Sequence, residues 1–360
     1  MLKLMKRAGV VMLASLAVAG TCMAETRIQG AGATFPEPLY KRLVAEYQKL
    51  HPEIQIDYQG IGSGGGIKGI TEKTVDFAGS DAPMSKKEIA AAGGEENLVQ
   101  VPSCAGGVVP AYNLPGLTKD LNFTGEILAD IYLGKITKWN DPAIVKVNEG
   151  VTLPDTAITP AWRTDGSGTN YVFTNYLATQ SDEFKNKIGI GKAVKWPVGQ
   201  GGKGNPGVAA VVQQTPGAIG YIEQNFADSN KIAYGAVQNK DGKFVKASPE
   251  AVSAAGAGAV EQFKGNVMAA NLWNQAGEAS YPIASFTYLI VYKDMNNVKS
   301  KEQAQALADF LWWATHDGQK FAGDLDYAPL AEPVRTKVEA ALGALSYGGA
   351  GMKPMASMAK

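Results

Sequence analysis

The chain has few of the side chains that build most metal, disulfide and nucleophilic catalytic sites. Its 360 residues include two histidines, His51 and His316, which argues against a multi-histidine metal site and against a histidine-based triad. It also has only two cysteines, and Cys104 lies in the apolar run VPSCAGGVV, which favours a buried side chain over a reactive thiol. We therefore predict no metal, no cofactor, no catalytic residues and no enzyme activity.

The chain also lacks an excess of positive charge and a long apolar run. Lysine and arginine together number 34, and so do aspartate and glutamate. Proteins that bind nucleic acid or anionic surfaces non-specifically carry a basic excess, so we predict neither partner. No segment after the first 24 residues has about 18 consecutive apolar residues, so we predict no direct membrane insertion. Recognition of an anion would have to come from a local site.

The first 24 residues are typical of an export signal. A basic start precedes an interrupted apolar run over 8–20, and Cys22-Met23-Ala24 resembles a cleavage site. We predict a signal peptide over residues 1–24, whose removal leaves 31 basic and 34 acidic residues. A lipid on Cys22 is the alternative, but Thr21 before it fits a lipid-attachment site poorly.

Strand-like and helix-like segments alternate along the rest of the chain, which favours an α/β fold. The segment from Pro36 to Leu50 predicts an amphipathic helix, and FTYLIVYK from Phe286 predicts a strand. The length of the mature chain exceeds one comfortable core and predicts two domains. A Gly- and Met-containing segment, 347–360, is predicted to be a flexible tail.

One short segment, Arg163-Thr164-Asp165-Gly166-Ser167-Gly168-Thr169, combines a guanidinium, a carboxylate and hydroxyl groups with two glycines. Apolar residues at helical spacing follow it, so the segment should open a helix. The unpaired N–H groups and positive dipole of a helix start suit an anion, and an arginine fork suits a tetrahedral oxyanion. Asp165 is placed to hold the Arg163 guanidinium in position. This segment predicts the centre of a ligand site.

Three other segments offer similar chemistry. The loop 30–36 should leave the Thr34 hydroxyl and nearby N–H groups free, and Gly62-Ser63-Gly64-Gly65-Gly66 should place Ser63 at a helix N-cap. Asp81 directly follows a strand. Each alone is typical of ordinary capping or turns, but several such loops can together build an anion site at the carboxyl ends of strands.

Asp81 is the residue that would choose between anions. A carboxylate faces an oxyanion favourably only when a proton lies between them, and phosphate retains a proton near neutral pH whereas sulfate has none. Sites that leave a buried polar group unpaired can reject the wrong ligand by about 10⁴. If Asp81 lines the site, it should favour phosphate over sulfate.

Two nucleotide motifs and one hydrolase motif compete with this interpretation. Gly60-x-Gly62-x-x-Gly65 fits the dinucleotide fingerprint, with Asp81 about twenty residues further on. The following helix is short, the glycine run is longer than the motif requires, and the chain is exported away from nicotinamide cofactors. The glycine-rich loops Gly60–Gly66 and Gly199–Gly207 do not continue into the GK[ST] sequence of a P-loop. Ser167 does not lie in a nucleophile elbow, because Asp165 and Thr169 occupy the positions where that motif has glycines.

The order of several motifs resembles the periplasmic phosphate-binding proteins, the solute receptors of the high-affinity phosphate ABC importer. These motifs are GAGATFPEPLY, YQGIGSGGGIKGI, VDFAGSDAPMS, DIYLGKITKWNDP, RTDGSGTNYVFTNYL, GGKGN and PGAIGYIE. The resemblance implies a type II periplasmic binding protein fold: two α/β lobes with mixed, mostly parallel sheets, joined by a hinge that the chain crosses twice. It places the first lobe at 25–104 and 286–346 and the second at 105–285, with crossings near 104–109 and 283–286.

The resemblance also implies the function and its residues. The protein would be a monomeric periplasmic receptor that binds inorganic phosphate between its lobes and delivers it to a membrane permease. The phosphate ligands would be Thr34, Phe35 (through its backbone N–H), Ser63 and Asp81 from the first lobe, and Arg163, Ser167, Gly168 and Thr169 from the second, with Asp165 supporting Arg163. The alternatives are a receptor for sulfate, molybdate or phosphonate, a secreted phosphate-ester hydrolase, and an adhesin or scaffold that reuses the fold.

Overall fold

The computed structural model describes residues 26–354, in which strands and helices alternate as expected for an α/β protein. The predicted signal peptide lies outside these residues. The strands are β1 (Thr26–Gly32), β2 (Ile54–Gly60), β3 (Phe77–Ser80), β4 (Leu98–Tyr112), β5 (Asn122–Phe123), β6 (Thr159–Arg163), β7 (Gln200–Gly202), β8 (Ala218–Glu223), β9 (Ala233–Tyr234), β10 (Ala236–Gln238), β11 (Phe244–Val245), β12 (Ala284–Tyr292), β13 (Ser346–Tyr347) and β14 (Ala350–Gly351). The α-helices are α1 (Glu37–Leu50), α2 (Ser63–Thr71), α3 (Lys86–Ala91), α4 (Gly125–Tyr132), α5 (Pro142–Lys146), α6 (Gly168–Gln180), α7 (Asp182–Lys187), α8 (Gly204–Gln214), α9 (Gln224–Ser229), α10 (Pro249–Ala255), α11 (Lys301–Thr315) and α12 (Glu332–Leu342).

Nine of the described strands form one sheet, in the order β2-β1-β3-β12-β4-β8-β6-β7, with β9 beside β4. Pairing is parallel among β1, β2 and β3, and among β6, β7 and β8. It is antiparallel where β12 meets β3 and where β4 meets β12, β8 and β9. The mixed α/β class is confirmed. The share of antiparallel pairing is larger than expected, because the two central strands run against their neighbours.

The long strand β4 divides this sheet into two halves. Its residues 98–107 pair with β12, whereas its residues 108–112 pair with β8. The N–H of Val108 donates to the carbonyl of Ile283 at 2.9 Å, so the two strands that pass between the halves lie side by side. We call β1–β3, β12, α1–α3, α11 and α12 the first half, and β6–β8 with α4–α10 the second half. The partner change falls within the predicted crossings, and the lobe boundaries themselves stay a prediction.

Helix α1 shows how local sequence builds the first half. Pro36 directly precedes the first helical residue, Glu37. The N–H group that this proline lacks would have no partner within the helix. Lys41 pairs with the Glu37 carboxylate at 2.7 Å, one turn later. The apolar stripe is buried as its period predicts, over Leu39, Tyr40, Leu43, Val44 and Tyr47. No helix within residues 26–354 is both long and apolar enough to cross a membrane.

The parallel strands bring their carboxyl ends to the same edge of the sheet. In the first half, Thr34 follows β1, Ser63 follows β2 and Asp81 follows β3. In the second half, β6 ends at Arg163 and leads into α6. Ligand sites of open α/β sheets lie at such edges, so the topology gathers the predicted site residues.

Part of the segment predicted to be a flexible tail is structured. β13 and β14 form an antiparallel hairpin, and Gly348 and Gly349 between them have positive φ angles of 60° and 76°, which a two-residue hairpin turn requires. Both glycines donate their N–H groups to the carboxylate of Asp294, and Met352 is buried. Residues 346–351 therefore form a hairpin, residues 355–360 lie outside the described part of the chain, and the flexibility of the tail stays a prediction.

Candidate anion site

Two groups of polar side chains are buried where the halves meet. The first half supplies Thr34, Ser63 and Asp81. The second half supplies Arg163, Ser167 and Thr169. Phe35 and Gly168, the other two predicted ligands, are buried as well. Their role as phosphate ligands remains a prediction, but the contacts below place most of them against one another.

The halves touch around these side chains. The N–H of Gly64 donates to the carbonyl of Gly166 at 2.8 Å. Glu88 on α3 forms an ion pair with Lys192, which lies in the second half after α7. The carbonyl of Lys192 in turn accepts from the N–H of Ser167 at 2.8 Å. These contacts bring the glycine-rich start of α2 against the loop that precedes α6.

The guanidinium of Arg163 is held in a fixed orientation. Its Nε and Nη2 donate to the two carboxylate oxygens of Asp165 at 2.8 and 2.6 Å, and its Nη1 donates to Thr169 Oγ1 at 3.1 Å. Burial would raise the pKa of the Asp165 carboxyl, but the hydrogen bonds and charge of Arg163 outweigh it, and this pKa lies below its ordinary value. A guanidinium has five N–H donors, so two remain for a ligand. The predicted supporting contact of Asp165 with Arg163 is present.

Backbone donors complete the site. Helix α6 begins at Gly168, as predicted, and the Ser167 hydroxyl caps it by accepting from Asn170 N at 2.9 Å. Within residues 26–354, the N–H groups of Phe35, Gly168 and Thr169 have no acceptor. Buried N–H groups are almost always paired, so unpaired donors at a helix start mark a place that suits an anion.

Ser63 does not cap α2 as we expected. Gly62 is the N-cap, with a φ of 87°, and Ser63 is the first helical residue. A side chain at Gly62 would also collide with the Asp165 carboxylate, since a methyl group there would lie 2.2 Å from Oδ2. The Ser63 hydroxyl instead faces Asp81, accepting from its backbone N–H at 3.2 Å and lying 3.4 Å from Oδ2.

Asp81 is a carboxyl group removed from solvent. Its Oδ1 accepts from the Thr287 hydroxyl at 2.8 Å. Burial raises the pKa of Asp81 to about 7, against the opposing effects of the Thr287 hydrogen bond and the Arg163 charge. Near neutral pH this carboxyl therefore holds or releases a proton readily, which suits a ligand that shares a proton with it.

The raised pKa predicts how the stability of the ligand-free protein depends on pH. The unfolded chain releases the Asp81 proton near pH 4, whereas the folded protein holds it to about pH 7. The stabilisation that comes from the raised pKa of Asp81 is therefore fully present below pH 4 and is lost as the pH rises to 7. Compared with Asp81→Asn, the wild type should lose about 4 kcal/mol of unfolding free energy across this window. Urea denaturation of both proteins measures the difference, and parallel pH profiles would contradict it.

Gly168 is a position where the two halves approach each other closely. A methyl group there would lie 2.4 Å from both Asp81 Oδ2 and Ser63 Oγ. Gly168→Ala should therefore push the start of α6 away from Asp81 and Ser63. We expect it to weaken the predicted phosphate binding at least tenfold, in line with overpacking costs of about 1–3 kcal/mol. Gly323→Ala is the control, because a methyl group there meets nothing within 4 Å. Equal affinities in calorimetric titrations of the two variants would show that the contact is unimportant.

Sequence reasoning missed two residues of this site. Asn205 on α8 donates from Nδ2 to Thr34 Oγ1 at 3.0 Å and to Thr169 Oγ1 at 3.2 Å. Its place in the GGKGN motif was the signal that could have indicated it. Thr287 lies inside the buried strand β12, where nothing in the local sequence indicates a polar contact. Among the described residues, no group of three or more His, Cys, Asp or Glu side chains is arranged to hold a metal.

Comparison with known sequences supports the resemblance. The profile of the PBP superfamily domain matches residues 18–317. The phosphate-binding protein PstS of Pasteurella multocida is 45% identical over 337 residues, which cover 93% of this chain and 95% of that protein. The phosphate-binding protein PstS of Methanocaldococcus jannaschii is 38% identical over 312 residues, covering 81% of this chain and 79% of that protein.

Solved structures agree on the fold. A phosphate-binding protein from Stenotrophomonas maltophilia superposes with a TM-score of 0.67 at 21% identity, covering 88% of this chain and 94% of the other. A high-affinity periplasmic phosphate-binding protein, PfluDING, superposes with a TM-score of 0.66 at 21% identity. The match covers 87% of this chain and 93% of that protein. These likenesses establish the type II periplasmic binding protein fold. Together with the sequence matches, they show that this chain belongs to the PstS phosphate-binding proteins of the PBP superfamily.

Proposed function

We propose that this protein is a receptor that binds inorganic phosphate between its two halves and delivers it to the permease of an ABC importer. The observation that carries the proposal is the buried carboxyl of Asp81, which lies close to hydroxyl, guanidinium and backbone donors. Phosphate near neutral pH offers several acceptor oxygens and at least one proton, so it complements both. The relatives named as phosphate-binding proteins support the same ligand.

The charges of the site favour selection by hydrogen bonds. Asp165 neutralises Arg163, and Asp81 adds a group that is partly ionised at neutral pH. The anion would therefore be held by the free guanidinium N–H groups, by hydroxyls and by backbone donors. Such preorganised donors distinguish anions by geometry and by protonation.

Calorimetric titration of the phosphate-stripped protein with phosphate and with sulfate near pH 7.5 tests the proposal. For a five-atom ligand, about 1.5 kcal/mol per atom gives a dissociation constant in the low micromolar range, and charge-assisted bonds can tighten it. We expect phosphate to bind at least that tightly and sulfate to bind much more weakly. Equal affinities would remove the role of Asp81, and binding of neither anion would refute the receptor function.

The other candidates lack support from the site. A sulfate receptor would leave Asp81 facing an anion without a proton. A hydrolase would need a base or metal, but His316 is engaged by Glu339 at 3.0 Å and by the Trp312 carbonyl, and His51 lies near Glu53. We therefore propose a receptor without catalytic turnover, which an assay of phosphate-ester hydrolysis can test.

The cellular setting is part of the proposal. We propose that the halves act as lobes with the boundaries 25–104 and 286–346 for the first and 105–285 for the second, and that the protein is a periplasmic monomer. A phosphate-dependent change in small-angle scattering tests whether the lobes close. The mass from the same data tests whether the protein is a monomer. Terminal sequencing of the protein from the periplasmic fraction tests cleavage after Ala24, and stimulation of a purified phosphate permease ATPase tests delivery.

A further inference from the structure

Asn205 lies at the start of α8 with a fully buried side chain, and its amide contacts three separate elements. Its Nδ2 donates to the hydroxyl oxygens of Thr34 in the first half and Thr169 in the second. Its Oδ1 accepts from the backbone N–H of Glu223 at 3.0 Å, where β8 ends. The acceptor role toward an N–H group decides which end of the amide is Oδ1, so the NH₂ end must face both threonines.

The hydrogen bonds of the two threonines leave one direction for each hydroxyl proton. Thr34 Oγ1 accepts twice, from Nδ2 and from the backbone N–H of Asn205 at 3.1 Å. Thr169 Oγ1 also accepts twice, from Asn205 Nδ2 and from Arg163 Nη1. A hydroxyl has two lone pairs and one proton, so both oxygens have used their acceptor capacity. Each can only donate to a further partner.

We propose that Asn205 is a positioning residue that turns the hydroxyl protons of Thr34 and Thr169, from opposite halves, toward a bound phosphate. The inference rests on the proposed function. An anion needs donors, and a threonine hydroxyl alone rotates freely between donating and accepting. Asn205 removes this freedom on both sides of the site at once, before the ligand arrives. Preorganisation of this kind lowers the cost of binding.

The substitution Asn205→Asp separates this role from a packing role. Aspartate keeps the shape of the side chain and can still accept from Glu223 N–H, so a residue that only fills space or links the halves should tolerate it. If Asn205 is a positioning residue, phosphate binding should not tolerate the substitution. The carboxylate would attract the two threonine hydroxyl protons and leave oxygen lone pairs facing the phosphate. We expect phosphate affinity to fall about 100-fold at pH 8.

The matched control is Asn148→Asp. Asn148 is also a buried asparagine of the second half, and its amide makes three hydrogen bonds, to Asn122 and Ile144. It belongs to no part of the site, so its variant should bind phosphate like the wild type even where its stability falls. Urea denaturation without phosphate shows how far each variant is destabilised.

A double-mutant cycle tests whether Asn205 acts through the hydroxyls. Thr169→Val removes one recipient, so the penalty of Asn205→Asp should shrink severalfold in that background. In the wild-type complex we expect an NMR coupling between the Thr169 hydroxyl proton and ³¹P across their hydrogen bond, and this coupling should disappear in Asn205→Asp at saturating phosphate. A purely structural role would leave that coupling in place.

The binding data separate failure of phosphate binding from failure of the role proposed for Asn205. If the wild type binds no phosphate, the proposed function fails and the inference falls with it. If the wild type binds and Asn205→Asp binds within threefold of it, only the inference is refuted. Should Asn205→Asp not fold, Asn205→Ala replaces it: we expect about a tenfold loss of affinity that diminishes in the Thr169→Val background, and additive losses would overturn the inference.

Discussion

Replacing Asp81 by asparagine is expected to open the site to sulfate. The wild type should favour phosphate by about 10⁴, because sulfate carries no proton and leaves the buried Asp81 oxygen unpaired against another acceptor. The amide of the variant donates a hydrogen bond where the carboxylate accepts one. Sulfate affinity should therefore rise about 100-fold at pH 8, while phosphate affinity changes less than tenfold. Calorimetric titration of phosphate-stripped wild type and variant with both anions measures these changes.

The control for this substitution is another carboxyl with a raised pKa. Asp76, just before β3, is shielded by burial and accepts from the N–H of Gln29 at 2.7 Å. Asp76→Asn should leave the preference for phosphate unchanged. Lowering the pH provides a second check, because the raised pKa of Asp81 means that a protonated carboxyl is available to donate to sulfate below about pH 7. Sulfate affinity that is the same in wild type and Asp81→Asn at every pH would place the discrimination elsewhere.

Replacing Arg163 by methionine should nearly abolish phosphate binding. Three guanidinium N–H groups are used within the protein, by Asp165 and Thr169, and the two that remain are the strongest donors available to an anion. Hydrogen bonds to charged groups contribute about 1.5–3 kcal/mol each, so losing two should weaken binding about 1,000-fold. Equilibrium binding of radioactive phosphate, measured at millimolar concentrations, covers the expected range.

Two controls separate the loss of donors from the loss of the ion pair. Asp165→Asn keeps the guanidinium and still accepts from it, so phosphate affinity should change less than tenfold. Arg42→Met removes an exposed arginine that pairs with Glu46 and contacts none of the predicted ligands, and it should have no effect on binding. A similar loss in Arg163→Met and Asp165→Asn would mean that the ion pair, and not the free donors, determines affinity.

The short-range contacts of the site can be predicted from residues that are neighbours in the sequence. The contact of Arg163 with Asp165 joins residues two positions apart, and the Ser167 cap acts on Asn170, three positions further on. Helix starts and short turns depend on such short-range contacts, so a sequence pattern predicts them well. The burial of the apolar face of α6 follows from its period for the same reason.

Local patterns failed where a distant partner decides the geometry. Ser63 follows a glycine loop as an N-cap would, yet the positive φ of Gly62 moves the cap by one residue and turns the serine toward Asp81. The glycines that precede β14 looked like a loose tail, yet Asp294 accepts their N–H groups and completes a hairpin. In both cases the observed conformation is held by a contact with a residue from elsewhere in the chain.

The amino-acid sequence by itself determined the α/β class and the burial of Cys104. It also predicted an anion site at the segment that begins at Arg163, and that site stays a prediction. Only the tertiary structure decided what surrounds Asp81: burial in the folded protein raises its pKa, and the Thr287 hydroxyl reaches it from a strand 206 residues away and opposes that rise. It also decided the contacts of Asn205, which meets Thr34 across 171 residues. Such contacts depend on the register of β4 and β12 and on the approach of the two halves, which no local pattern encodes.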